Sequence, residues 1–236
     1  MIRTVFFDLD GTLLPMDEGK FMRTYFGYLT EWMKPYGFEP ERLAAEIWNG
    51  TACMVKNDGS RTNERAFWDY FKSVFGEAVA EHEQHFDAFY HVNFVRAKDA
   101  CAPDPDAARA VYALKAQGFG VVLATNPLFP AIATRQRTEW AGLSVEDFLY
   151  CTTYENFNFA KPNPMYYKEL ARRLSLDPAE CLMVGNNASE DMEAALAVGM
   201  QVFLLPRCLI NKQGLDLSRY PQGGFDDLLR YVAENA

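Results

Sequence analysis

A chain of 236 residues, 49% of them hydrophobic, is long enough to bury a real core and could be one large domain or a core with a modest insertion. A formal charge of −9 and a pI near 4.9 exclude the basic face that nucleic acid requires, although they leave room for a small anion held by a few local positive groups. The five cysteines are odd in number and form no CxxC pair, which argues against a disulfide framework or a zinc ribbon and for reduced thiols.

Val5-Phe6-Phe7 is the first short apolar run, and it leads straight into Asp8 and Asp10, which no signal peptide does. From about Pro15 to Lys98 the chain is rich in aromatics and helix formers, with no β-like run. Helices are expected near Glu18–Lys34, Pro40–Asn49, Asn63–Phe75 and Glu77–Arg96, with a Lys56–Ser60 loop between the second and third. Asp106–Gln117 is amphipathic and stopped by Gly118. Val121–Ala124 is the second buried run, and Phe148–Thr152 is a candidate strand followed by a polar loop and Lys161-Pro162. Pro164–Leu174 repeats apolar residues at helical spacing. Leu182–Val184 is the third run, Ser189–Val198 reads as a helix capped at Ser189, and Gln201–Leu205 as a last strand. Strands alternating with helices predict a doubly wound α/β parallel sheet, with residues 1–14 and 99–236 forming its core and residues 15–98 an inserted all-helical cap. No apolar run approaches a membrane span, and a cytoplasmic protein with no membrane or nucleic-acid partner is expected.

In an open parallel sheet, ligands bind beyond the carboxyl ends of the strands. That edge gathers Asp8 and Asp10, then Thr125 and Asn126, then Lys161, then Asn186, Asn187, Glu190 and Asp191. Two adjacent carboxylates repel each other and are costly to keep ionised without a cation. A hard divalent metal with oxygen ligands resolves this, and magnesium is the usual choice beside phosphate. Thr125 and Asn126 suit phosphate oxygens, and Lys161 offers them a point charge. His82 and His85, three apart near His91, read as a solvated helix face rather than a metal site. The cap aromatics, such as Phe21, Tyr25, Trp48 and Phe67, read first as packing and second as pocket walls. The Lys56–Arg61 loop is suited either to reaching a substrate or to a surface turn.

Asp8-Leu9-Asp10-Gly11-Thr12-Leu13 resembles the first motif, DxDGTL, of the haloacid dehalogenase-like superfamily. Thr125, Lys161 and the Gly185–Asp191 segment fall in order as its second, third and fourth motifs, and the helical insertion resembles the family's first-position cap. The resemblance implies Asp8 as a nucleophile forming an aspartyl-phosphate, and Asp10 as the acid and base that also ligates Mg2+ through its carbonyl. The fourth motif departs from the family pattern, because Asn186 and Asn187 stand where an acid usually follows the glycine. The third metal ligand is then Asn186, Asn187 or Asp191, with Asp191 favoured and Asn186 close by. Members that displace halide without metal carry an asparagine near this point but typically lack the second aspartate. The expected activity is therefore magnesium-dependent hydrolysis of a small phosphorylated metabolite. A metal-independent 2-haloacid dehalogenase-type reaction and a non-catalytic binding module are the alternatives.

Overall fold

A computed structural model describes residues 1–236. Four parallel strands, β1 (Thr4–Phe7), β2 (Gly120–Leu123), β3 (Cys181–Gly185) and β4 (Gln201–Leu204), form one sheet in the order β2-β1-β3-β4. Register is continuous across it, with Phe7 opposite both Leu123 and Val184. β1 is buried on both faces, as an unbroken apolar run demands. Val5 and Phe7 enter one hydrophobic cluster and Phe6 the other, so alternation along a single strand feeds both layers.

The segment Phe148–Thr152 does not form a full strand. It lies along β2 through Leu149 N to Val121 O (2.8 Å), Leu123 N to Tyr150 O (2.9 Å) and Thr152 N to Leu123 O (3.1 Å), with one bridge at Cys151. It is the ragged outer edge of the sheet, where no further strand fixes the other side.

Between β1 and the rest of the sheet stand four helices, α1 (Glu18–Met33), α2 (Pro40–Val55), α3 (Asn63–Phe75) and α4 (Glu83–Val92). α1 and α3 begin on side chains that accept N-terminal amides, Asp17 from Lys20 N and Thr62 from Arg65 N. The expected helix over Glu77–Arg96 is in fact three pieces, with 3-10 turns at Glu77–His82 and Phe94–Ala100 flanking α4. Entry and exit of this block run side by side, Ala102 N donating to Pro15 O at 2.8 Å.

Beyond the block come α5 (Pro105–Ala116), α6 (Ala131–Trp140), α7 (Met165–Arg173), α8 (Ala194–Leu196) and α9 (Phe225–Asn235). α6 and α9 were not expected from the sequence. The helix read as Ser189–Val198 is instead a π-helical turn, Ala188–Glu193, running into α8. Its cap is Asn187 rather than Ser189, since Asn187 Oδ1 accepts from both Ser189 N and Glu190 N at 3.2 Å. No helix is long and apolar enough to cross a membrane.

Candidate active site

Asp8 sits at the carboxyl end of β1, where Asp8 N still donates to Val184 O (3.0 Å) and its side chain emerges from the sheet. The chain then turns through Gly11 at φ +83°, a conformation that side-chain-bearing residues resist. A Cβ at Gly11 would lie 2.4 Å from Asn186 Nδ2, so the glycine also lets the first loop pack onto the one after β3. That packing delivers Thr12, whose Oγ1 lies 3.2 Å from Asp8 Oδ2 and 3.0 Å from Asn186 Oδ1.

Lys161 is buried and its ammonium donates to Asp8 Oδ1 (2.9 Å) and Asp191 Oδ1 (2.7 Å). Burial works against the charged ammonium, but Asp191 and Asp8 outweigh it and hold the lysine protonated well above its ordinary range. One cation between two carboxylates leaves surplus negative charge. Burial first, and Asp8 next, push the Asp191 carboxyl upward despite Lys161. Asp191 Oδ2 accepts from Asn187 N at 3.0 Å, so both its oxygens are engaged. A Cβ on Gly185 would fall 2.2 Å from that same Oδ2, which makes the last residue of β3 the floor under Asp191.

Asp10 points elsewhere, to the buried guanidinium of Arg137 on α6. Arg137 is fixed in turn by Nε donating to Ala133 O (3.2 Å) and by stacking 4.4 Å from the Phe129 ring centroid. Burial raises the Asp10 carboxyl above its usual range, Arg137 opposes the rise, and Asp8 adds to it. Asp10 Oδ1 has no hydrogen-bond partner. The two like charges at the end of β1 are thus compensated by two separate cations, Lys161 and Arg137. Lys161 was expected to meet phosphate oxygens and a metal to offset the pair, and Arg137 was not expected.

Thr125 and Asn126 follow β2. Backbone Thr125 O is held by Thr152 Oγ1 (2.6 Å) and Tyr166 Oη (3.0 Å), which fixes the turn and leaves the Thr125 hydroxyl at the cavity wall. The Asn126 amide, expected to meet phosphate, is largely committed to the protein. Its Oδ1 accepts from Lys161 N (3.1 Å), and its Nδ2 donates to Glu190 Oε2 (3.0 Å) and Lys161 O (3.3 Å). It clamps the Lys161 loop and the Glu190 turn together.

Asp8, Asp10, Thr125, Asn126, Asn186, Asn187, Glu190 and Asp191 all line one cavity of about 260 Å³, and the buried Lys161 bonds two of them, Asp8 and Asp191, from behind. The opposite wall comes from α1, α2 and α3, including Phe21, Met22, Phe26, Trp48 and Phe67. Several aromatics of the helical block therefore serve as both packing and wall, while Phe71, Phe89 and Phe94 are buried packing alone. The Lys56–Arg61 loop does not line the cavity. It docks on the core instead, where Asn158 Nδ2 donates to Gly59 O (3.0 Å) and Asn63 Nδ2 to Pro127 O (3.1 Å) and Phe159 O (3.3 Å). The His82–His85 pair is occupied with Tyr36, whose ring stacks on His85 at 3.8 Å. No cluster of three His, Cys, Asp or Glu residues forms a metal cage there or elsewhere.

Sequence reasoning missed Arg137 and Thr12 as site residues. Thr12 lay within the motif already singled out, whereas Arg137 carried no local signal.

The family model of haloacid dehalogenase-like hydrolases matches residues 2–199. The chain is 28% identical over 202 residues to a glyceraldehyde 3-phosphate phosphatase of Methanopyrus kandleri, covering 85% of this chain and 82% of that one. Among solved structures it is similar to a 2-haloacid dehalogenase from Pseudomonas syringae (TM-score 0.66, 22% identity, 100% of both chains). It is also similar to a HAD phosphatase from Thermococcus onnurineus (TM-score 0.59, 20% identity, 98% of both). With a family match across most of its length and a sheet edge carrying the four motif segments in order, the chain belongs to the haloacid dehalogenase-like hydrolases.

Proposed function

We propose that this protein hydrolyses a small phosphate monoester through an aspartyl-phosphate on Asp8, with residues 15–98 acting as a cap over a core made of residues 1–14 and 99–236. The observation that carries the reading is Asp10, a second carboxyl lining the same cavity as Asp8, paired with Arg137 and pushed upward by burial, which places an acid–base group beside the nucleophile. Halide is a stable anion when it leaves and needs no proton. An alkoxide does need one, and a buried acid at this position is the group to supply it.

In the first half-reaction an Asp8 carboxylate oxygen attacks phosphorus, the ester P–O bond breaks, and Asp10 gives its proton to the departing oxygen. In the second, Asp10 takes a proton from water as the water oxygen attacks phosphorus, which releases phosphate and restores the Asp8 carboxylate. Lys161 pairs with the nucleophile and places positive charge where the phosphoryl oxygens crowd in. Thr125, with its hydroxyl at the cavity wall, donates to one of those oxygens, and Asn126 holds the Lys161 loop in register.

The donor set fits magnesium. Asp8 Oδ2 and Asn186 Oδ1 face a single hydroxyl proton on Thr12, which leaves an oxygen lone pair unpartnered. Asp8, Asp10, Glu190 and Asp191 share the cavity and only Lys161 and Arg137 pair with them, so carboxyl groups outnumber cations and a divalent ion would balance them. Asp8, the Asp10 carbonyl and Asn186 would hold the ion. Asp191 is the less suitable ligand because both its oxygens are engaged. When bound, the ion supplies charge stabilisation to the transferring phosphoryl group.

A metal-free displacement on a 2-haloacid is the second reading, favoured by Asn186 and by the direct Lys161–Asp8 pair. One assay separates them: phosphate release from an aryl phosphate and halide release from 2-chloropropionate, each with magnesium or chelator. Phosphate release that requires magnesium is expected, and it should fall by several orders of magnitude in Asp8→Asn, on the order of 5 kcal/mol of barrier. Halide release in chelator, without phosphate release, would replace this reading by the second.

A further inference from the structure

The cavity beyond the carboxylate end has a chemical character that the motifs do not announce. Seventeen of its 29 lining residues are hydrophobic, and none is lysine, arginine or histidine. Its only charged side chains are acids, namely Asp8, Asp10, Glu18, Glu190 and Asp191. The hydroxyls on the cap side are mostly engaged with the protein: Tyr25 and Tyr90 share one bond at 2.9 Å, which leaves a single phenolic proton to give, and Thr51 Oγ1 donates to Ile47 O at 2.9 Å. Trp48 lines this wall while half exposed to solvent, and Phe26 packs 5.4 Å from it between ring centroids. A polyhydroxylated substrate would lose its water here and find few partners in exchange. A second anionic group would meet carboxylates and no cation. An apolar or aromatic group would be buried against faces that suit it.

Resting on the phosphatase reading, we propose that the substrate is a monophosphate ester of an uncharged, apolar or aromatic alcohol, with one phosphate and no second anion. The cavity volume, at the low edge of the ~300–1,000 Å³ usual for small-molecule sites, sets its size at about one ring and a short chain. Selection against sugar bisphosphates and phospho-acids comes from the absence of a positive group on the α1–α2–α3 wall.

The test compares alkyl phosphates whose leaving oxygens are alike but whose far ends differ. The kcat/KM for 2-phenylethyl phosphate should exceed those for phosphoglycolate and for glyceraldehyde 3-phosphate by tenfold or more. Calorimetric titration of the non-hydrolysable 2-phenylethylphosphonate against phosphonoacetate should show the same order of affinity without any turnover. Thr51→Arg places a guanidinium on the wall, and it should narrow the phenylethyl-to-glycolate ratio at least tenfold. Equal or reversed preference in the kinetic or the calorimetric comparison overturns the proposal, as does an unchanged ratio in the arginine variant. If no ester is turned over, nor the more reactive anhydride acetyl phosphate, the phosphatase reading fails, and calorimetry still decides the character of the cavity.

Discussion

Arg137 is the residue whose part in the site could not be read in advance. It lies on α6 with its side chain buried, and it faces an aspartate 127 positions earlier in the chain. The pairing sets the acid strength of Asp10: burial raises that carboxyl and Arg137 holds the rise in check. Removing the guanidinium as Arg137→Met should therefore raise Asp10 further. If Asp10 is the proposed general acid, kcat/KM reports the half-reaction that uses its protonated form, and its alkaline limb should move to higher pH. The second half-reaction needs the ionised form, so kcat near neutrality should fall by roughly tenfold or more. A limb that stays in place, or moves to lower pH, would show that Arg137 acts only as packing. Asn186 allows a complementary test. Asn186→Asp puts a full charge beside Asp8 and Thr12, and it should lower the magnesium concentration for half-maximal rate by about an order of magnitude. An unchanged requirement would remove residue 186 from the metal site. Asp8 to Leu13 were legible because the motif is local, Thr125 because it follows a strand, and Lys161 by its place in the order of the motifs. Arg137 was not, since its meaning depends on where α6 lies in space.

Elements differ in how plainly they announce themselves. β1, β2, β3 and β4 were visible as apolar runs because strands buried on both faces have nothing else to be made of. α6 was invisible for the opposite reason: its sequence AIATRQRTEW has a buried face that includes Thr134, Arg137 and Thr138, so hydrophobic periodicity does not mark it. α9 did carry a signal in Leu228 and Val232, one turn apart and both buried, and it lay beyond the last motif considered. The π-helical turn after β3 defeated the cap assignment because Asn187, part of the motif, is also its N-cap. α3 has a further part to play. Its first residue, Asn63, is fully buried, bonds Asn57 at 2.9 Å, and donates to two carbonyls of the core. Asn63→Ala would strand Pro127 O and Phe159 O in a dry contact, at about 1–3 kcal/mol. The expected result is a lower urea midpoint together with faster proteolysis at residues 56–61. A midpoint equal to that of the wild type would mean that the helical block is seated by its apolar contacts alone.

For the whole molecule, the question is how an acidic protein receives an anion. The formal charge is −9, and the cavity that opens between the helical block and the sheet edge is lined by acids alone among charged groups. The compensating cations, Lys161 and Arg137, are buried and already paired, so their fields are short in reach beyond the site. On the proposed function, a phosphate dianion approaching from solvent therefore meets net repulsion, and only at the floor of the cavity does it come near Lys161. Repulsion between separated charges is screened by salt, with a Debye length falling from about 30 Å at 0.01 M to about 8 Å at 0.15 M. Raising sodium chloride over that range at constant magnesium should thus raise kcat/KM for a phosphate ester by roughly two- to fivefold. Steering by a positive funnel would give the opposite slope. Salt also strengthens apolar binding, and acetyl phosphate controls for this because it has almost no apolar surface. A rise shared by acetyl phosphate and 2-phenylethyl phosphate belongs to the field of the molecule, whereas a rise confined to the latter belongs to the apolar wall. Glu18→Gln, on the exposed rim of the same cavity, should flatten the common slope. A fall in kcat/KM with salt for both substrates would mean that positive potential dominates the entrance despite the acidic surface, and would assign substrate capture to Lys161 acting at long range.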